Sequence, residues 1–286
     1  MTILEVIQRS VDYLGKHGVD SPRLQVELLL AHLLRLPRMR LYLEFERVLV
    51  ESELAALREL VKRRGHREPL QHLVGSVSFC GFELTVNRHV LVPRPETELL
   101  AERAWHFLAS ATPPTPVALD LCTGSGCLAI AIAMKCPRAA VHAADLSLEA
   151  LTVARTNAER HAEPARITFH EGDLFAPLPA DLRFDLIVSN PPYIPAGEIA
   201  TLEPEVRDWD PRVALDGGAD GLVFYRRIAG EGAARLRPGG RLMAEFGDGQ
   251  AEAIREIFSA TGWQMREILS DLNGKPRIII ASTAGS

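Results

Sequence analysis

The sequence predicts an α/β fold with a mostly parallel sheet, preceded by a small helical bundle and a β-hairpin. Three observations predict this class. After residue 116, short apolar runs alternate with helical patterns, as in a parallel sheet that helices cover on both faces. Before residue 73 the pattern is helical only. The chain of 286 residues is also too long for one average domain.

Residues 1–72 predict only helices. The first helix carries an apolar stripe at helical spacing, formed by Leu4, Ile7, Val11 and Leu14. Ser21 and Pro22 are typical of an N-cap and of the first position of a second helix. A later helical pattern ends at Gly65. We therefore expect a small helical bundle in this part of the chain.

The segment that follows changes character. SFCGFELTVNRHVLV, residues 78–92, alternates apolar and polar residues around Gly81 and predicts a β-hairpin. A new helix is expected to begin in the PRPETE run at 93–98. The predicted domains are a helical domain at 1–72, a hairpin linker at 73–95 and a larger domain at 96–286.

Six apolar runs are candidate strands of the larger domain. They are VALDL (117–121), AVHAAD (140–145), ITFHE (167–171), DLIVS (185–189), RLMAEF (241–246) and RIIIA (277–281). Helical patterns lie between them, at 127–135, 147–161, 220–236 and 249–261. Right-handed crossovers place each strand-to-helix loop at the carboxyl edge of the sheet, where ligands of open α/β sheets bind.

Charge and composition exclude several classes of function. The formal charge of −5, from 32 basic and 37 acidic residues, offers no polycationic surface, so direct nucleic-acid binding is not expected. No apolar run reaches about 18 residues and the first residues lack a signal-peptide pattern, so we expect no membrane span. The cysteines are Cys80, Cys122, Cys127 and Cys136. Their spacing predicts neither a disulfide framework nor a metal site, and it fits a reducing cytoplasm.

The first strand of the sheet ends at Asp120 and runs into a turn of small residues. The turn comprises Cys122, Thr123, Gly124, Ser125 and Gly126. Small residues let the backbone approach a ligand closely and expose helix N-terminal amides. With Ala129, the two glycines satisfy the dinucleotide pattern GxGxxG/A. The turn alone is compatible with NAD, with another nucleoside, or with simple packing of a helix on a strand.

Two further acids follow the next two strands. Asp145, followed by Leu146, can accept hydrogen bonds from both hydroxyls of a ribose, or cap the next helix. Asp173, followed by Leu174, can accept an adenine amino hydrogen, or serve as a turn residue. Together with Asp120, these acids favour a methyl-donor nucleoside over NAD.

The fourth strand ends in the most specific motif, Asn190, Pro191, Pro192 and Tyr193. The prolines fix φ and remove backbone donors, which leaves the Asn190 and Pro191 carbonyls as rigid acceptors. The Asn190 side chain adds one donor and one acceptor group. Such an arrangement suits a planar amide or amino group, which Tyr193 can cover. We predict that these four residues are catalytic and that Asn190 also contacts the cofactor.

These residues resemble the class I S-adenosylmethionine-dependent methyltransferases, and NPPY marks those that methylate planar nitrogen. Further segments are similar to the release-factor glutamine methyltransferases of the PrmC/HemK family. They are EPLQHLVG (68–75), PRPETE (93–98), ALDGGADGL (214–222), AEFGDGQ (244–250) and DLNGKPR (271–277). The acidic pattern of PRPETE separates this branch from the sister family that acts on a ribosomal protein.

The resemblance implies a Rossmann-like methyltransferase domain with a seven-stranded sheet. It implies S-adenosylmethionine as cofactor, S-adenosylhomocysteine as product, and no metal. The implied substrate is the glutamine of the Gly-Gly-Gln motif in peptide chain release factors 1 and 2, methylated at N5. The helical domain is then expected to dock this partner.

The sequence departs from the family pattern at two positions. Cys122 stands where the family has glycine, and Leu174 stands where a related enzyme has an aromatic residue. Neither departure removes the two glycines of the turn. Arg94 and Glu96, in the PRPETE segment, could close over the cofactor or tie the hairpin to the larger domain, and we expect the second role.

Three more functions are compatible with parts of this pattern. An adenine-N6 nucleic-acid methyltransferase also uses NPPY, but it needs a flipped base and a basic channel. A glutamine methyltransferase of a ribosomal protein shares the same chemistry. A binding module with this fold could also have lost transfer activity, although Gly124, Gly126, Asp145 and Asn190 are intact.

Overall fold

The computed structural model describes residues 1–161 and 166–283, which form two compact units. The helical unit consists of Met1–Ser76 together with Glu203–Trp209. The sheet unit consists of Val77–Leu202 and Asp210–Ser286. Within the described ranges, no helix is long and apolar enough to cross a membrane.

The helical unit packs short helices around its own apolar core. The helices are α1 (Ile3–Lys16), α2 (Pro22–Leu34), α3 (Arg38–Leu41), α4 (Glu51–Gly65), α5 (Leu70–Val74) and, from the later segment, α9 (Pro204–Arg207). A capping box begins α1, because Thr2 accepts from the Glu5 amide and Glu5 accepts from the Thr2 amide. Ile7 and Leu14 of the predicted stripe are buried and Val11 is partly buried, but Leu4 is exposed and Ile3 is buried in its place. Ser21 stands at the N-cap of α2, but its side chain makes no capping hydrogen bond.

Ion pairs hold the later segment within the helical unit. Arg64 is 4% exposed and donates to Glu205 at 2.7 Å. Arg67 donates to the same Glu205 oxygen at 2.6 Å and to Glu203 at 2.9 Å. A buried guanidinium is stable only when such acceptors pair with it.

The sheet unit confirms the predicted α/β class. Its strands are β1 (Ser76–Phe79), β2 (Phe82–Thr85), β3 (Val117–Leu121), β4 (Ala140–Asp145), β5 (Ile167–Glu171), β6 (Phe184–Ser189), β7 (Leu236–Glu245), β8 (Trp263–Ser270) and β9 (Pro276–Thr283). In the described residues β1 and β2 form a hairpin, and the others form a seven-stranded sheet in the order β5-β4-β3-β6-β7-β9-β8. The five strands from β5 to β7 are parallel, and β9 runs antiparallel to both of its neighbours, β7 and β8.

Strand β8 is absent from the six predicted runs. It lies at the edge of the sheet, and only Trp263 and Leu269 among its residues are buried. Its register also shifts between Met265 and Glu267. A bulge of this kind interrupts the alternation of period two that identifies a strand.

Helices cover both faces of the sheet and create two apolar clusters. The helices are α6 (Pro95–Ser110), α7 (Cys127–Lys135), α8 (Leu148–His161), α10 (Val223–Gly232) and α11 (Ala251–Ala260). All six residues of β6 are buried, as expected for a central parallel strand. The chain passes from β3 to β4 on one side and returns to β6 on the other side of β3. This switch in direction opens a crevice at the carboxyl ends of β3 and β6.

A buried asparagine on α8 ties the hairpin and the glycine turn to the sheet unit. The Asn157 oxygen accepts from the Thr85 amide at 2.7 Å. The Asn157 nitrogen donates to the carbonyls of Thr85 and Ser125, both at 3.0 Å. One side chain therefore satisfies backbone groups of both segments.

We expect Asn157→Ala to lower the free energy of unfolding by about 3 kcal/mol, because it leaves buried backbone groups unpaired. Urea unfolding measures the loss. The matched control is Thr156→Ala, at an exposed position of the same helix, which should change the free energy by less than about 0.5 kcal/mol. Equal effects of the two substitutions would contradict this account.

Candidate active site

A cavity of about 230 Å³ lies in the sheet unit at the carboxyl ends of the parallel strands. Ten of the predicted residues line it: Cys122, Thr123, Gly124, Ser125, Asp145, Leu146, Asp173, Leu174, Asn190 and Pro192. The structure therefore brings together residues from the loops after four different strands. The predicted residues outside the lining are Asp120, Gly126, Pro191 and Tyr193.

The two glycines of the turn face different surroundings. Gly124 has φ +54°, and a Cβ added there would meet no heavy atom within 4 Å. Its backbone is open to the cavity. Gly126 has φ +81°, and a Cβ there would lie 3.1 Å from the Cβ of Ala154. Gly126 thus permits α7 to pack closely against α8, whereas Gly124 leaves room for a ligand.

Asp120 supports the turn from inside the protein. Its Oδ2 accepts from the Thr123 hydroxyl at 2.6 Å and from the Ala129 amide at 3.1 Å. Its Oδ1 has no hydrogen-bond partner among the described residues. Burial raises the pKa of this carboxyl to about 7, although the bonds from Thr123 and Ala129 oppose that rise.

Asp145 connects the glycine turn to the start of α8. One carboxylate oxygen accepts from the Gly124 amide at 2.8 Å, and the other accepts from the Ser147 amide at 2.9 Å. Burial raises its pKa above the ordinary value, and these two bonds lower it. The helix is capped by Ser147, whose hydroxyl accepts from the Ala150 amide. A carboxylate has about four acceptor sites, so Asp145 can accept further hydrogen bonds from the cavity side.

Asp173 has a partner that the sequence pattern does not predict. Arg227 on α10 donates to both of its carboxylate oxygens, at 2.9 and 2.8 Å. Leu174 is buried, has φ +48° and lines the cavity. Phe175, the next residue, lies in the core of the sheet unit.

The Asn190 side chain is held by a residue of α6. Its Nδ2 donates to the Thr97 hydroxyl oxygen at 3.2 Å. Tyr193 packs partly buried against the core, and burial raises the pKa of its phenol to about 12. The Tyr193 carbonyl accepts from Gln250 at 2.8 Å, which holds the end of the motif.

The N-terminal end of α6 and its N-cap residue contribute cavity residues whose roles periodicity does not show. Thr97 and Arg94 both line the cavity. Arg94 donates to the buried Asp210 at 2.8 Å. Burial raises the pKa of Asp210 to about 6, and Arg94 opposes this rise. The PRPETE pattern marks this segment in the sequence, but it does not indicate a role for the hydroxyl of Thr97.

Among the described residues, no group of three or more His, Cys, Asp or Glu side chains could hold a metal ion.

Comparison with known proteins gives matches over most of the chain. Residues 5–75 match the model of the PrmC N-terminal domain, and residues 102–202 match the methyltransferase small domain. A release factor glutamine methyltransferase of Geobacter sulfurreducens is 46% identical over 97% of this chain and 95% of its own. One of Chlorobaculum tepidum is 41% identical over 95% and 94%. A methyltransferase of Pyrococcus furiosus shares the fold, with a TM-score of 0.51 at 19% identity, over 77% of this chain and 97% of its own.

Cys122 occupies a backbone conformation that favours glycine. Its φ is +60°, in the left-handed region, where a side chain costs about 1–2 kcal/mol. The side chain packs against the core cluster beneath the cavity. Burial raises the pKa of its thiol well above the ordinary value, so the group is neutral.

We expect Cys122→Gly to be more stable than Cys122→Ala by about 1 kcal/mol, because only alanine keeps the backbone strain. Both substitutions remove the thiol, so their difference reports the backbone strain, reduced by the packing of the alanine Cβ and by the greater freedom of glycine in the unfolded chain. Denaturant unfolding of the two variants measures it. An alanine variant as stable as the glycine variant would show that the backbone relaxes.

Proposed function

We propose a function from one premise: the chain belongs to the release factor glutamine methyltransferase family. It is accordingly an S-adenosylmethionine-dependent protein-glutamine N-methyltransferase. We assign as its substrate the glutamine of the Gly-Gly-Gln motif in release factors 1 and 2, methylated at N5, in the cytoplasm where translation occurs. The observation that carries this assignment is the Asn190 carboxamide, which lines the cavity and whose nitrogen donates to the Thr97 hydroxyl.

The cavity residues fit S-adenosylmethionine. The open face of Gly124 would admit the donor, and the spare acceptor sites of Asp145 suit ribose hydroxyls. Asp173 would accept the adenine amino hydrogen beside Leu146 and Leu174, because Arg227 uses only part of its acceptor capacity. When bound, the donor supplies a methyl group already activated by its sulfonium.

The task of the protein is to present a poor nucleophile. An amide nitrogen has its lone pair delocalised into the carbonyl. We propose that the Asn190 oxygen and the Pro191 carbonyl accept the two amide hydrogens and so aim the nitrogen at the methyl group. Positioning of this kind supplies at most ~7–11 kcal/mol of barrier lowering, and fixed dipoles supply more. The nitrogen gains a methyl group and loses one proton, which passes to water.

The helical unit, with its ion-paired segment Glu203–Trp209, is proposed to bind the release factor. A loop that enters an active site needs a second surface to hold the body that carries it. This assignment rests on the family.

Mass spectrometry of a release factor incubated with the protein and S-adenosylmethionine tests the proposal, with duplex DNA in parallel. We expect one added methyl group on the glutamine of Gly-Gly-Gln. Methylated adenine in the DNA would instead identify a nucleic acid as the substrate. If S-adenosylmethionine binds but neither substrate is methylated, a ribosomal protein becomes the next candidate substrate.

We expect Asn190→Ala to lower turnover by about 10²–10³, the usual loss on removal of one preorganised polar contact. Calorimetric binding of S-adenosylhomocysteine should stay nearly unchanged. Asn273→Ala, in an exposed turn, is the control. A large rise in the dissociation constant of Asn190→Ala would assign Asn190 to donor binding instead of catalysis.

We expect Asp145→Asn to weaken S-adenosylhomocysteine binding by at least about tenfold, because charge-assisted hydrogen bonds contribute roughly 1.5–3 kcal/mol each. Isothermal calorimetry measures the change, and Asp181→Asn in an exposed loop is the control. If the two variants bind alike, the ribose assignment of Asp145 is wrong.

A further inference from the structure

A buried carboxyl lies beside the Asn190 carboxamide at the end of β7. Glu245 is 3% exposed, and its Oε2 has no hydrogen-bond partner among the described residues. The Tyr225 hydroxyl donates to the Glu245 backbone carbonyl at 2.6 Å, which fixes the position of the strand end. Thr97 and Asn190 both approach the carboxyl and favour its charged form. A buried carboxyl with an unpartnered oxygen is costly, and the proposed methyl transfer gives it no role.

Thr97 connects this carboxyl to Asn190. The Thr97 side chain is buried, and its oxygen accepts from Asn190 Nδ2 at 3.2 Å. A hydroxyl that accepts one hydrogen bond still has its own proton to donate. When the Thr97 hydroxyl directs its proton to Glu245, the lone pairs of the hydroxyl oxygen face Asn190. Only the NH₂ group of the Asn190 carboxamide can donate a hydrogen bond to those lone pairs.

We propose that Glu245 and Thr97 are positioning residues that determine which end of the Asn190 carboxamide faces the substrate. The inference rests on the proposed function, and it explains how the site would select a substrate group that donates N–H hydrogen bonds. In the orientation that Thr97 selects, the Asn190 oxygen faces the cavity and can accept an amide hydrogen. In the flipped orientation, an NH₂ group would face the substrate NH₂ group, and the two donors would repel each other.

The ionisation of Glu245 gives this arrangement a pH dependence. The charged and titratable groups that face it are Glu96 on α6, Arg277 on β9, Tyr193 and Tyr225. Burial, assisted by Glu96, raises the pKa of Glu245 to about 7, whereas Thr97, Arg277 and Asn190 oppose this rise. Below that pKa the protonated carboxyl can donate to the Thr97 oxygen and compete with Asn190. Turnover should therefore fall as the pH drops through about 7.

The experiment compares Thr97→Val, Thr97→Ser and Glu245→Gln in the full chain, with release factor as substrate. We expect Thr97→Val to lower kcat about tenfold, equivalent to about 1.4 kcal/mol, with S-adenosylhomocysteine binding unchanged. Thr97→Ser, which keeps the hydroxyl, should stay within about twofold of the wild type. Glu245→Gln should flatten the pH profile of kcat near 7. The matched control is Thr85→Val, a half-buried threonine of β2 in the same unit.

A second readout needs no substrate. The side-chain ¹⁵N resonance of Asn190, assigned by its absence in Asn190→Ala, should shift between pH 6 and 8 in the wild type and not in Glu245→Gln. A wild type that leaves the release factor unmethylated, while this resonance titrates as expected, would overturn the proposed function and support the orientation. A resonance that does not titrate, or a Thr97→Val variant with unchanged kcat, would overturn the orientation alone.

Discussion

The hydrogen bond from the Gly124 amide to the Asp145 carboxylate joins the ends of two neighbouring parallel strands. Because β3 and β4 run in the same direction, their following loops meet at one edge, and a carboxylate after one strand can hold the turn after the other. Asp120 holds the same turn from the inner side through Thr123. The shape of the cavity therefore depends on two acids from successive strands, one facing the cavity and one enclosed by the core.

The buried carboxyl groups of Asp120 and Glu245 make the stability of the protein depend on pH. Burial raises the pKa of Asp120 and that of Glu245 to about 7, above the values of about 4 expected in an unfolded chain. Each group is easier to protonate in the folded protein, so its contribution to stability is present at low pH and is lost as the pH rises through about 7. Near neutral pH these two groups cost stability. Their positions beneath the glycine turn and beside Asn190 indicate that the site retains them for geometry.

Local motifs made much of this architecture predictable from the sequence. The alternation of strands and helices was sufficient for the α/β class, and the structure confirms it. Asp145 and Asn190 could be placed at one edge because each ends an apolar run. The polar edge strand β8 could not be predicted in this way because its bulge breaks the alternation.

Contacts between distant residues are beyond the reach of such patterns. Asn190 donates a hydrogen bond to Thr97, which lies 93 positions away in the sequence, and Arg227 donates to Asp173, which lies 54 positions away. No periodicity along the chain relates such residues, because the folded topology alone brings them together. The glycine pattern likewise could not show that Gly124 faces a cavity while Gly126 faces Ala154.

The placement of Glu203–Trp209 makes the helical unit discontinuous. The polypeptide passes between the two units three times, after Ser76, after Leu202 and after Trp209. A gene fragment that ends after residue 76 would therefore encode an incomplete body, with Arg64 and Arg67 deprived of Glu205. Such a body cannot be exchanged between proteins by a single crossover. The helical unit and the segment after the Asn-Pro-Pro-Tyr motif are thus expected to have been inherited together.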